Sequence, residues 1–288
     1  GVNLSEMSVS EETEGIVSAF NVSVAAQGSG RLGYTILVHL KNALLSGSYD
    51  YVEIRVAPSD KQIETVEMGG SIWMAFNARS RDLEDQVYPL DGATVEEMYR
   101  NGWVSSIGGL FQYGRKYMYT PWQGYNPSNN LGNQTADIPW QNDTHMPCPE
   151  GYRVPTRSEL NSLLPKNQEI PGTYIAGNGE KITATLHVGE GTLTTPTGVT
   201  GTQQYVKFTS EDTGRYLIIP LAGGKGDKST TNNPSFGKRA VLWTSERNGC
   251  PGGYAWTYWL PFEGKETTAI AERQLQMEAF ASLRCVKK

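Results

Sequence analysis

The run Cys148-Pro149-Glu150-Gly151-Tyr152-Arg153-Val154-Pro155-Thr156-Arg157-Ser158-Glu159-Leu160 constrains this chain more than any other stretch. Thr156 and Glu159 have capping-box spacing, in which a hydroxyl and a carboxylate satisfy the orphan N–H groups of a helix start. Leu160, Leu163 and Leu164 then share one helical face, and Pro165 stops the helix. The stretch has a counterpart near the other end, Ser282-Leu283-Arg284-Cys285-Val286, in the last strand-like run. A cysteine before a capped helix and another in a closing strand describe a closed module stapled near its end. The chain has 3 cysteines, so at least one thiol is unpaired within it. Three buried free thiols remain an alternative. The placement favours a Cys148–Cys285 bridge, with Cys250 left as a free thiol in the turn-like stretch around Gly249.

The expected organisation is a loose polar segment, residues 1–14, a small β-sandwich domain, 15–68, and a larger domain, 69–288. Phe20, Val22 and Val24 alternate with Asn21 and Ser23, residues 34–40 form a second strand-like run, and Val52, Ile54 and Val56 a third. Gly69-Gly70 reads as the linker. The larger domain carries a second capping box, Thr94 with Glu97, ahead of a helix stopped at Asn101-Gly102. A hairpin is expected over 174–186 around Gly177-Asn178-Gly179, and an apolar strand over 216–221. Closing strands are expected over 240–244, 255–262 and 276–286. The 32 glycines and 15 prolines are spread along the chain, as suits short strands and many turns.

Several chemistries lack their motif. The formal net charge is -5 with no dominating basic patch, against nucleic-acid binding. No apolar run is long enough to span a bilayer. The chain opens at Gly1 without a leader-like segment, as a mature export product would; a lipid-bearing cysteine would lie upstream. Gly224-Lys225-Gly226-Asp227-Lys228-Ser229 has Asp227 where a phosphate loop needs glycine. His39, His145 and His187 are scattered, and no two cysteines have zinc spacing. No cofactor is expected. Calcium stays open without a standard motif, with Asp137, Asn142, Asp143, Asp227, Asn232 and Asn233 as oxygen donors that equally serve ordinary turns.

Two dense aromatic segments stand out. One holds Trp103, Phe111, Tyr113, Tyr117, Tyr119, Trp122 and Tyr125; the other holds Trp243, Trp256, Tyr258 and Trp259. Core filling accounts for Trp243 and for one alternate face of the strand holding Trp256. Trp122 and Tyr125, followed by Asn126, Asn129 and Asn130, suit ligand binding instead, because rings cover the apolar face of a sugar while amides bond its hydroxyls. Asn232 and Asn233 join them as candidate ligand-binding residues.

The Cys148–Leu160 segment resembles the signature of FISUMP-type domains, a branch of the C-type-lectin-like superfamily found in surface proteins of Gram-negative gut anaerobes. Trp73-Met74-Ala75-Phe76-Asn77, Gly109–Lys116, Leu242-Trp243-Thr244-Ser245 and Leu283-Arg284-Cys285-Val286 fit the same pattern in order, over about residues 70–288. The resemblance implies an α+β C-type-lectin-like domain with two short helices, a twisted antiparallel sheet and long loops, after the small all-β sandwich. The Glu-Pro-Asn or Gln-Pro-Asp loop of calcium-dependent lectins is missing, so calcium-dependent sugar binding is not implied. The related formylglycine-generating oxidases need an active-site cysteine pair that nothing here clearly supplies. The expected function is therefore non-catalytic adhesion or binding of a host or microbial glycan or protein, at the cell surface or in the periplasm, including at a fimbrial tip. The alternatives are an oxidase using Cys250 and a structural subunit that contacts only its pilus neighbours.

Overall fold

In a computed structural model of the chain, the described residues are 62–83, 86–89, 93–100, 104–116, 118, 140, 145–194, 200–224, 236–248, 253–260 and 269–288. Ahead of them, residues 4–11, 17–24, 34–41 and 49–56 are described as strand backbone. Those four strands are β1 (Leu4–Glu11), β2 (Val17–Val24), β3 (Tyr34–Lys41) and β4 (Tyr49–Val56). β1 pairs antiparallel with β2, and β3 with β4, as two separate two-stranded sheets. No sandwich is built from them among the described residues. The segment expected to be loose contributes β1, where Met7 and Val9 alternate with Ser8 and Ser10.

The remaining chain is mostly β. β5 (Thr65–Met68) and β6 (Ser71–Met74) form a hairpin, followed by α1 (Val95–Arg100), a 3-10 turn (Val104–Ile107) and β7 (Leu110–Gln112). Then come β8 (Tyr152–Arg153), α2 (Arg157–Leu163), β9 (Gly172–Ile175), β10 (Lys181–Thr194), β11 (Thr200–Ser210) and β12 (Tyr216–Pro220). The chain closes with β13 (Ala240–Arg247), β14 (Tyr254–Leu260), β15 (Ala271–Gln276), β16 (Phe280–Ser282) and β17 (Val286–Lys287). They form three sheets, with orders β12-β11-β10-β9, β15-β14-β13-β16-β7 and β5-β6-β17-β8.

This overturns the expected α+β C-type-lectin-like layout and its preceding sandwich. The helices are real but have only 6 and 7 residues, and sheet packs on sheet around them. A capping box stabilises a helix start whatever lies beyond it, so it says nothing about layer architecture. The linker reading of Gly69-Gly70 is also corrected. With φ of +61° and +82° they are the two-residue turn between β5 and β6, a conformation that glycine adopts without a Cβ penalty. The strand expected over 276–286 is three pieces: Gln276 ends β15, a turn follows with the Ala279 amide donating to the Gln276 carbonyl at 2.9 Å, and β16 and β17 belong to different sheets.

The hairpin expected around Gly177-Asn178-Gly179 is β9–β10, and α2 carries both halves of its capping box. Glu159 accepts from the Thr156 amide at 2.8 Å and takes both Arg153 guanidinium nitrogens at 2.8 and 2.6 Å. Leu160, Leu163 and Leu164 of this region, Phe208, Leu217, Leu242 and Tyr258 belong to one buried cluster where the three sheets meet. Each large apolar side chain so buried contributes about 1.5–3 kcal/mol. A second cluster holds Phe111, Tyr113, Trp140, Trp243 and both Cys148 and Cys285. Those two cysteines are bridged, with Cα atoms 5.9 Å apart across a sequence separation of 137. The bridge anchors the segment before β8 to Cys285, the residue that leads into β17, the strand with which β8 pairs.

Candidate functional site

The residues expected to bind ligand, Trp122, Tyr125, Asn126, Asn129, Asn130, Asn232 and Asn233, lie outside the described residues, as do Cys250 and the calcium candidates Asp137, Asn142, Asp143 and Asp227. Among the described residues no group of three or more His, Cys, Asp or Glu side chains could hold a metal ion. His187 stacks on Tyr205 with ring centroids 5.2 Å apart and bonds Thr185 Oγ1 at 2.7 Å.

The second aromatic segment is placed in full. Trp243 is completely buried, donates from Nε1 to the Phe111 carbonyl at 2.7 Å and meets Tyr113 and Trp140 edge-on. Its role is core filling, as expected. β14, Tyr-Ala-Trp-Thr-Tyr-Trp-Leu, then presents alternate side chains to opposite faces of its sheet. The two faces are electrostatically different.

On the face toward α2, Trp256 lies under the Arg157 guanidinium, 4.0 Å from ring centroid to Cζ. Arg157 pairs with Glu272 through both Nε and Nη2, the latter at 2.9 Å. Tyr258 Oη donates to Glu272 at 3.1 Å. The Arg157 hydrogen bonds hold the Glu272 carboxyl below the usual carboxylate range, and burial pushes the Tyr258 phenol up. Arg157 and Glu272 match each other, and Glu246 accepts from the Arg157 amide at 3.1 Å, so this cluster clamps α2 onto β13, β14 and β15.

On the other face the register sets Trp259 opposite Val241, and Arg273 opposite Thr257. Arg239, two residues before Val241, and Arg273 are thus diagonal neighbours of Trp259, within reach of a long side chain. Their guanidinium carbons lie 4.6 and 5.1 Å from its ring centroid. Such contacts are worth about 0.5–2 kcal/mol each. Trp259 Nε1 is held by Thr257 Oγ1 at 2.8 Å, and that hydroxyl donates to the Arg273 carbonyl at 3.0 Å. Arg239 and Trp259 are half-buried and Arg273 is exposed. Neither arginine forms an ion pair with a carboxylate among the described residues. Burial, then the like charge of Arg273, lowers the pKa of Arg239. Sequence reasoning missed both arginines, because their meeting depends on register between three strands.

A separate groove of about 590 Å³ runs along the edge strand β5, past Ile72, Val95 and Tyr216, and adjoins one of about 430 Å³ at Asn178 and Asp212. Its Glu67 and Arg215 pair with each other at 3.0 Å, and Glu180 accepts from the Gly69 amide at 2.7 Å. These groups serve the local fold.

Residues 66–287 match the family model described as the Fibrobacter succinogenes major domain. No curated protein and no solved structure matches the chain. No helix among the described residues is long and apolar enough to cross a membrane.

Proposed function

Because the chain belongs to the Fibrobacter succinogenes major domain family, a family of surface-associated proteins, we propose that it is exported and binds an extracellular ligand at the cell surface without catalysis. The observation that carries this reading is the Arg239–Trp259–Arg273 face. Two cations gathered on one aromatic ring, with no carboxylate from the described residues paired to them, leave guanidinium donors and an aromatic face for a bound partner. A glycan or a protein of the surroundings fits that role. The fully paired Arg157–Glu272 cluster on the opposite face shows the contrast with a structural arrangement.

The test is binding of the intact chain to an immobilised panel of glycans, matrix proteins and purified pilins, with Trp259→Ala beside the wild type. Retention of a glycan or matrix protein, lost in the variant while its circular dichroism is unchanged, is the expected result. Retention of pilin alone would replace the reading with that of a structural subunit. Trp122→Ala and Tyr125→Ala, run in the same panel, decide whether the aromatic–amide segment shares in the site.

A further inference from the structure

We infer that the groove between the edge strands β5 and β12 takes an extended, basic peptide segment of a partner protein, which adds to the open sheet edges as a further strand.

Residues 64–67 line the groove on one side and residues 213–216 on the other. Side chains of a strand alternate between faces, so consecutive residues along a groove present the main-chain edge itself. The hydrogen-bond phase agrees. The Ala75 amide donates to the Glu64 carbonyl at 2.8 Å, and Thr65 stands opposite Met74. Antiparallel pairs alternate between bonded and non-bonded, so Thr65 and Glu67 turn their N–H and C=O away from β6. In β12 the Arg215 carbonyl accepts from the Ser210 amide at 2.9 Å, and Tyr216 stands opposite Thr209. Tyr216 and Ile218 therefore face away from β11. The Ile218 carbonyl accepts from Arg284, as an outward group can. Among the described residues nothing hydrogen-bonds the main chain of Thr65, Glu67 or Tyr216. An added strand supplies N–H and C=O groups in the alternation that such edges require. At about 3.3 Å per residue, residues 64–67 offer about 13 Å of edge, enough for roughly four residues of the segment.

The surrounding side chains select the segment. Ile72, which is 38% exposed, Val95 and Tyr216 supply apolar contact. Glu64, Glu67, Glu180 and Asp212 place four carboxylates along the groove and its extension, against one guanidinium, Arg215. Lysines or arginines alternating with apolar residues match both features. The Glu67–Arg215 pair has both side chains more than half exposed, so an incoming cation displaces Arg215 readily. A second copy pairing through the same edge would set these carboxylates against their own kind.

The experiment follows fluorescence anisotropy of a labelled Lys-Val-Lys-Val-Lys-Val peptide with the intact chain, at fixed ionic strength. Its Glu-Val counterpart and copies N-methylated at the valines or at the lysines are run beside it. The parent peptide is expected to bind, with the Glu-Val counterpart and at least one methylated copy roughly tenfold weaker or more. Thr65→Pro removes an outward N–H that β6 does not use, and Glu67→Lys reverses one charge. Each is expected to weaken binding by a similar factor with unchanged circular dichroism. Equal binding of both methylated copies overturns strand addition, and equal binding of the Glu-Val counterpart overturns the choice of a basic segment. Undiminished binding by the two variants overturns the placement, and failure of the parent peptide to bind overturns the inference. A dimer in sedimentation velocity that Thr65→Pro abolishes gives the edge to a second copy and overturns the choice of partner. Should the variants not fold, the methylated copies decide alone. Trp259 lies outside this groove, so the glycan and protein panel with Trp259→Ala decides the broader reading independently.

Discussion

Arg284 donates from Nη2 to the carbonyl of Ile218 at 2.7 Å, and it does so completely buried. Its Nη1 donates to the Met74 carbonyl at 3.0 Å, so one side chain links β12 of the first sheet to β6 of the third. Burial lowers the pKa of this guanidinium, with the Tyr99 hydroxyl acting the other way, and the two carbonyls replace part of its water. Arg284→Met leaves both carbonyls without that donor and is expected to destabilise the fold by about 2–4 kcal/mol, the relief of desolvation offsetting part of the loss. Urea denaturation midpoints at pH 7 measure it; an unchanged midpoint would mean that the linkage contributes nothing.

The Cys148–Cys285 bridge closes a loop of 137 residues in sequence separation. In the chain-entropy account that contributes about 5 kcal/mol through the unfolded state. Paired Cys148→Ser and Cys285→Ser replacement is expected to lower the melting temperature by roughly 10–20 °C. A dithiothreitol series on the wild type should approach the same value.

Arg157 holds the Glu272 carboxyl below the usual range, so the folded-state pKa lies beneath the unfolded one. The stabilisation is therefore fully present above about pH 4.3, the ordinary glutamate value, and is lost as pH falls through the folded pKa. Glu272→Gln should be less stable than the wild type at pH 7, and the two should converge in acid. Melting curves from pH 7 down to pH 2 check the sign, and a gap that widened on acidification would contradict it.

Gly69 opens the β5–β6 turn at a φ of +61°, and a Cβ there would stand 3.0 Å from the Leu163 Cα of α2. Gly69→Ala combines left-handed strain with backbone crowding and is expected to cost about 1–2 kcal/mol or more. The same substitution at Gly179, where a Cβ meets nothing within 4 Å at a φ of +88°, isolates the strain alone. Thermal melts of the two variants should rank Gly69→Ala as the less stable.

Much of the local structure was legible. The α2 cap from Thr156 to Glu159, the turn at Gly177-Asn178-Gly179 and the apolar run of β12 are encoded within a few residues, where hydrogen bonds, φ preferences and side-chain alternation act over short distances. The period-two runs near the start announced strands, but alternation names no partner, so a sandwich was expected where two separate hairpins stand. β15, Ala-Glu-Arg-Gln-Leu-Gln, went unread because an edge strand exposed to water needs little apolar alternation.

By itself the sequence determined where helices begin, which runs extend and which cysteines flank the module. Tertiary structure alone decided that β13 lies parallel to β16, that one chain end feeds two sheets, and that Arg239 and Arg273 converge on Trp259 while Glu272 turns away. The reason is physical. Register between strands is set by the packing of buried faces across the whole core, and a shift of one residue would send every side chain of β14 to the other side of its sheet.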